Sequence, residues 1–449
     1  MNRALEDLAL GHGVTPMLDV LSIVWVPIMT RDWKAMGNIA ESECIGVEIL
    51  AQVERDYQKM VADRRFIHAH PGVSFDLEQT VSYVSERLDQ LEISYEPIGR
   101  AGIVAEVGTA SRGKTFLIRA DMDALPIEER SGCDYAAANG AMHACGHDLH
   151  TAMLLEVARI LKSREGALSG RVLLMFQPSE ETFEGARDMI EAGLLDRYAV
   201  DAGMMGHVTV GMPCPTGTVV VCDPGVSAPA ADYFTIEIQG HGCHGSMPNM
   251  GVDPITVAAH LVIGLQEIQS RELGMSDEVA LTVGSIHAGD AGNAIPDAAC
   301  LRGTLRTFDE DVRSRVKERM VQISEAIAGA YRATAAVSFG PSCPTLFNNP
   351  SVARDAVCYA KALLGGDAAC TATEFAERLD GNVPRVMGSE DFAYVSHEIP
   401  TVMVSLAAGN ASSGYAYPQH HPMVTFDERV MVNGAAVYAY TALCWLADH

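Results

Sequence analysis

A chain of 449 residues is too long for one ordinary core, so more than one domain is the natural expectation. Hydrophobic residues at 48% and charged residues at 20% read as a globular protein and exclude disorder on a large scale. A formal net charge of -26 excludes nucleic acid or an anionic membrane as partner, because phosphate binding is dominated by Lys and Arg.

In chain order, the first apolar stretch is "MLDVLSIVWVPIM", Met17 to Met29. It is thirteen residues long, carries Asp19 and follows acidic Glu6 and Asp7, so it is too short to span a bilayer and poor as a signal peptide. Residues 1–45 are expected to form an N-terminal extension that packs on the body or on a partner subunit. Apolar spacing around Ile45 to Met60 and in "TVSYVSERLDQL" (Thr80 to Leu91) predicts amphipathic helices. "AGIVAEVG" (Ala101 to Gly108), "TFLIRA" (Thr115 to Ala120) and "RVLLMF" (Arg171 to Phe176) read as buried strands. "DLHTAMLLEVARILKS" reads as a core helix with Asp148 as its N-cap. Such alternation predicts an α/β sheet with helices on both faces, and in open α/β sheets ligands bind beyond the carboxyl ends of the strands.

Those strand ends carry the chemistry. "TFLIRA" runs straight into Asp121 and Asp123, and "RVLLMF" runs into "QPSEE" with Glu180 and Glu181. "MHACGHDLH", Met142 to His150, places Cys145 and His147 two residues apart, so that in an extended segment both point to one side and can grip one ion. "DAGMMGHV" adds His207, and "YPQHHPMVTFDE" adds His420 and His421. Taken singly, a paired acid is a solvated surface feature and a lone His a satisfied core residue. Together, a Cys, His and Glu donor set with a spare carboxylate suits zinc or manganese and the activation of water.

Between about Asp232 and Gly340 the pattern changes to strand, helix, strand, strand, helix, strand, which is the split ferredoxin-like order. The expected organisation is therefore a catalytic domain of residues 46–230 and 341–449, with residues 231–340 inserted as a lid or dimerisation domain. "TVMVSLAAG", Thr401 to Gly409, resumes the first sheet.

Seven stretches in order, "LIRADMDALPIEE", "MHACGHDLHTA", "MFQPSEETFEGARDMI", "GHGCHGSMPN", "GNAIPD" with "LRGTLRTFD", "GSEDFAY" and "HHPMVTFDE", resemble the dimetal aminoacylase and carboxypeptidase superfamily of metallopeptidases. More narrowly they resemble its amidohydrolase branch of hippurate and auxin-conjugate hydrolases, to which 5-nitroanthranilate aminohydrolase is related. The resemblance runs from about residue 63 to the C-terminus. It implies two divalent ions per subunit, manganese or zinc, on Cys145, His147, Glu181, His207 and His421, with Cys145 where other branches use a bridging aspartate. It implies Glu180 as general base, Asp123 as the acid that orients a ligating histidine, and His244, Asn293 and Arg306 as residues for the substrate carboxylate or the oxyanion, in many relatives from the opposite subunit of a dimer. Leu149 stands where that branch commonly has glycine, a change expected to alter either the pocket wall or the helix packing.

The function expected is hydrolysis of a carbon–nitrogen bond next to a carboxylate, foremost the amide of an N-acyl or N-aroyl amino acid. Removal of the amino group from an activated aromatic amine such as a nitro-substituted ortho-aminobenzoate remains open. So does a non-catalytic binding role, against which Glu180 speaks. The eleven cysteines, odd in number and without framework spacing, fit a reducing, cytoplasmic setting. The partners expected are a small carboxylate-bearing molecule and further copies of the chain.

Overall fold

The computed structural model describes residues 35–381 and 388–449, the side chains of 35–43 aside. The chain divides into Met1–Glu41 and Ser42–His449, and the second unit holds every element that follows. The stretch Met17 to Met29 lies outside the described residues, and the boundary expected at residue 45 falls inside a continuous helix, Ala35–Ala69.

An eight-stranded sheet runs, from edge to edge, through Tyr95–Ile98, Gly102–Gly108, Arg171–Gln177, Thr115–Asp121, Ala202–Thr209, Thr401–Ala407, Val219–Val221 and Ala369–Thr371. Its centre is parallel, from Arg171–Gln177 through Thr115–Asp121 and Ala202–Thr209 to Thr401–Ala407. Flanking strands pair antiparallel to this centre, Gly102–Gly108 on one side and Val219–Val221 on the other. The central strands are apolar without alternation because both faces are covered. Successive residues of Thr115–Asp121 serve opposite layers: Phe116, Ile118 and Ala120 enter the core of the long helices, while Leu117 enters the core under Gly185–Glu191 and Ala393–Glu398. Arg119 and Asp121 share the parity of Leu117, which brings a charged pair into that second layer.

Two helices dominate the first layer. His147–Ser163 connects the parallel neighbours Thr115–Asp121 and Arg171–Gln177, as a crossover must. Its N-cap is Gly146 at φ +96 rather than Asp148, which sits inside the first turn with its carboxylate on Arg64 and His68. Gly146 is required there twice over, by the left-handed backbone and because a Cβ would lie 2.4 Å from Val208 Cγ2. Leu149 is fully buried in this core, so its effect is on helix packing. Val430–Asp448 is long and apolar enough to cross a membrane, but 78% of its apolar window is buried inside the fold, as befits a core helix.

Strand Ala230–Gln239 leaves the large sheet's layer and builds a second, four-stranded antiparallel sheet in the order Val279–Ala288, Ala298–Thr307, Ala230–Gln239, Thr334–Cys343. Helices Pro254–Glu267 and Glu310–Ala330 cover it, capped by Asp253 and Asp309. Phe234, Ile236, Leu261, Leu301 and Val316 form a core separate from the others. The fold is thus an α/β sheet with an inserted ferredoxin-like α+β layer, the architecture that the resemblance to the metallopeptidases implies.

Close packing in the large sheet reaches to the residue before His207. A Cβ on Gly206 would stand 2.4 Å from the buried Tyr438 Oη and 3.1 Å from its ring. Gly206→Ala is expected to cost about 1–3 kcal/mol by overpacking, read as a lower denaturation midpoint, and Tyr438→Phe in that background should recover part of it.

Candidate metal centre

The loops that leave the carboxyl ends of the central strands converge on Cys145. Its Sγ lies 3.4 Å from His207 Nε2 and 3.4 Å from His420 Nε2. Ligand atoms of Cys145, His147 and His207 lie within 4.8 Å of one another, and so do those of Cys145, Glu181 and His420. Cys145 belongs to both triads, so one sulfur could serve both donor sets.

Hydrogen bonds settle which histidine nitrogens face the centre. His147 Nδ1 donates to the Asp123 carbonyl at 2.9 Å, and His207 Nδ1 to the Val208 carbonyl at 2.7 Å, so in each ring it is Nε2 that is left to face inward. His150 is different: Nδ1 donates to Asp121 Oδ1 at 2.6 Å while Nε2 accepts the Val208 N–H at 2.8 Å. With both nitrogens engaged, His150 is a structural residue, although Asp121, His147 and His150 are also close enough to suggest a ligand set.

Asp123 holds the turn that carries the two glutamates. Its carboxylate oxygens accept the N–H groups of Glu180 at 2.9 Å and Glu181 at 3.2 Å. Ser179, at φ +56, reverses the chain just before them. The two carboxylates share His147 Nε2, which lies 3.8 Å from Glu180 Oε2 and 4.0 Å from Glu181 Oε1, and Glu181 Oε1 also reaches His420 Nε2 at 3.4 Å. Asp123 therefore acts through backbone and His147 rather than on the reacting atoms.

The adjacent pair in "HHP" resolves against the expectation. His420, not His421, reaches Cys145 and Glu181, from a left-handed backbone at φ +65 that turns its ring inward. The next residue points away: the His421 ring stacks on Tyr417 at 4.6 Å and its Nδ1 receives the Met423 N–H. His421 is accordingly replaced by His420 in the donor set. Beneath the centre, sequence reasoning also passed over Arg119, wholly buried and bonded to Asp121, Glu390, Asp391 and Gln177. Its signal was an arginine inside an otherwise apolar strand.

Arg306 lies in the same subunit's site region, its Nη1 donating to Ser389 Oγ at 2.5 Å, beside Glu390, whose carboxylate is near that of Glu180. His244 and Asn293 are elsewhere, on an exposed ribbon in which Cys243–His244 pairs with Ala294–Ile295. His244 Nδ1 bonds Ser246, and Gly245 N–H meets the Asn293 carbonyl. Among the described residues, no hydrogen bond or ion pair joins this ribbon to the Cys145 cluster.

Electrostatics match a cation-binding pocket. Burial pushes the Cys145 thiol up to about 12 and the Glu181 carboxyl up to about 7. Burial, then Glu390 and Glu181, hold Glu180 well above the usual range. Burial and His150 press His207 down to about 3, keeping it neutral and able to ligate. His147 Nε2 and Glu181 Oε1 are buried without hydrogen-bond partners. Orphaned donor atoms converging from separate loops fit a divalent cation.

Residues 117–443 match the peptidase family M20/M25/M40. The chain belongs to that family. This M20 chain is 35% identical over 396 residues to an N-acetyl-L-cysteine deacetylase of Bacillus subtilis strain 168, covering 87% of its own length and 89% of that protein. It is 31% identical over 405 residues to IAA-amino acid hydrolase ILR1-like 5 of Arabidopsis thaliana, with 89% of each covered. The crystal structure of the Bacillus subtilis YxeP protein, a dinuclear metal binding peptidase from the M20 family, matches with a TM-score of 0.73 and 31% identity over 88% of this chain and 99% of that one. The chain is a metal-dependent amidohydrolase that uses divalent metal.

His420→Ala should lower bound metal, counted by elemental analysis after dialysis, by about 10-fold or more, whereas His421→Ala should keep wild-type content. Equal loss in both variants would return the ligand role to either histidine.

Proposed function

We propose that this enzyme hydrolyses the amide of N-acyl or N-aroyl amino acids, using Glu180 as general base and Arg306 to hold the substrate carboxylate. The observation that carries the substrate class is the state of Arg306. Among the described residues it pairs with the hydroxyl of Ser389 and with no carboxylate, although the residue after Ser389, Glu390, belongs to a cluster of acids with Glu180 and Asp391. A half-buried guanidinium left without an anion favours a ligand that brings one, and Arg binds carboxylate bidentately.

Cys145, His147, Glu181, His207 and His420 would hold two divalent ions, zinc or manganese by the mixture of thiolate, imidazole and carboxylate. When bound, such ions lower the pKa of water to about 7 and polarise the scissile carbonyl. Arg306 fixes the substrate carboxylate, which places the scissile carbonyl near the carboxylate of Glu180. Oε2 of Glu180 accepts the proton of the attacking water and delivers it to the leaving nitrogen, while Asp123 holds the turn of Glu180 and Glu181 through their N–H groups. Desolvation of Glu180 matches the task, since a general base works best with a pKa near the working pH.

We also propose that residues 231–340 act as a lid and pairing domain and that a homodimer is the working form, with His244 and Asn293 serving a neighbour's site. Exposure of both residues away from their own Cys145 supports this assignment. Eleven unpaired thiols support a cytoplasmic setting.

Glu180→Gln is expected to lower kcat by about 10²-fold or more at unchanged metal content. Mixed with His244→Ala under verified subunit exchange, it should regain part of the activity, because one of the mixed sites is intact; no recovery would remove His244 from the neighbour's site. A substrate screen of zinc- and manganese-loaded protein should find turnover of N-acyl or N-aroyl amino acids, read as released acid. Esterifying the carboxylate should lower kcat/KM by about 10-fold or more, the loss of one charge-assisted contact at about 1.5–3 kcal/mol. Equal turnover of free and blocked acids would refute the Arg306 clamp, and ammonia from ortho-aminobenzoates in place of acyl hydrolysis would move the reaction to the aromatic amine class.

A further inference from the structure

Gln419 has no part in the chemistry above, yet its side chain sits where the ligand-bearing segments meet. Nε2 donates to the Cys145 carbonyl at 2.9 Å and to the Val208 carbonyl at 3.2 Å, and it lies 3.6 Å from Cys145 Sγ. The Val208 carbonyl is the one that receives His207 Nδ1–H and so sets that ring's tautomer. The following residue is His420, whose own N–H is bound to the Ala144 carbonyl at 3.0 Å. One carboxamide thus touches the Cys145 loop and the His207 strand end, and through the backbone it is joined to His420.

The chemistry of an amide fits this position. Its two N–H protons serve the two carbonyls, and the sulfur sits at the fork between them. Cys145 Sγ also lies 3.4 Å from Nε2 of His207 and of His420, and within 4.8 Å of donor atoms of His147 and Glu181. The imidazole nitrogens face the centre as lone-pair donors when they ligate, so Gln419 supplies a long N–H contact, shared with its bonds to the two carbonyls, that a thiolate in the same place can accept. Without it, nothing described in this loop ties the Cys145 backbone to the His207 strand by a side chain.

We propose that Gln419 is a positioning residue of the metal centre, which sets the sulfur shared by the two triads by tying the Cys145 loop to the strand end of His207. This rests on the metal-centre reading of Cys145. Residues of this kind that orient ligands typically change metal affinity 10–100-fold when removed.

The test uses the full chain stripped of metal and titrated with cobalt(II). Calorimetry reads affinity, and the sulfur-to-cobalt charge-transfer band in the near ultraviolet reads the geometry at Cys145. Gln419→Met keeps side-chain length and removes the N–H groups; Gln419→Glu keeps shape but sets a carboxylate against two carbonyl oxygens and the sulfur. The expected result is a 10–100-fold weaker affinity for Gln419→Met, a larger loss for Gln419→Glu, and a displaced charge-transfer band, with the metal-free proteins melting within a few degrees of wild type. Unchanged affinity and an unchanged band in Gln419→Met overturn the proposal. So does a loss of affinity accompanied by an equally large drop in metal-free melting temperature with the band in place, because that is the behaviour of a plain loop anchor. Wild-type protein that takes up no cobalt, or shows no sulfur band, would instead overturn the metal-centre reading itself.

Discussion

The structure depends on keeping carboxylates in a dry interior. Asp121, Asp123, Glu180, Glu390 and Asp391 are all buried at the carboxyl edge of the large sheet, and Glu181 is nearly so. Each would cost several kcal/mol as an isolated ion, so each needs a partner or a proton. Arg119 meets part of the demand, with Asp121 Oδ2 at 2.7 Å and Glu390 Oε1 at 2.8 Å. Asp121 falls well below the usual carboxylate range: burial opposes its charge, but Arg119, His147 and His150 outweigh it. Asp391, which shares Arg119 less closely, is pushed by burial up to about 8. Arg119 thus serves three of these acids at once, with Asp391 held further by Gln177 and the Ala186 N–H.

From this follows the division of labour among the histidines. Asp121, anchored by Arg119, takes His150 Nδ1 and commits that ring to the scaffold. The Asp123 carbonyl and the Val208 carbonyl take Nδ1 of His147 and His207, which leaves Nε2 of His207 to face Cys145 and Nε2 of His147 to face the carboxylates of Glu180 and Glu181. Three rings within ring-contact distance of one another are thereby given different roles by the partner on their far side. Tautomer choice is a hydrogen-bond decision, made one layer away from the atoms that use it.

The same layering explains how one enzyme chain combines a rigid site with an inserted layer. Parallel strands need crossovers, which place helices over both faces and all strand-end loops on one edge. Ala230–Gln239 leads away from that edge into the inserted sheet, and Ala298–Thr307 brings Arg306 back to Ser389. A guanidinium from the inserted layer is so joined to the segment that carries Glu390 and Asp391.

The sequence by itself determined the strands, the long helices and the strand-end clustering of Cys145, His147, Glu180, Glu181 and His207, because these depend on periodicity and on spacing along one segment. It also carried the family, since ordered motifs survive without coordinates. The tertiary structure alone decided between His420 and His421, which differ by one residue in a turn where a left-handed φ at His420 sends one ring inward and the next toward Tyr417. It alone showed both nitrogens of His150 engaged in the scaffold, placed Asp148 inside the helix rather than at its cap, and parted His244 and Asn293 from Arg306, though all three lie on the same inserted layer. These outcomes rest on side-chain direction and on partners distant in the chain, such as Arg64 for Asp148 and Asp121 for His150. Local pattern has no access to either, because a turn dihedral and a long-range hydrogen bond exist only once the segments have been brought together.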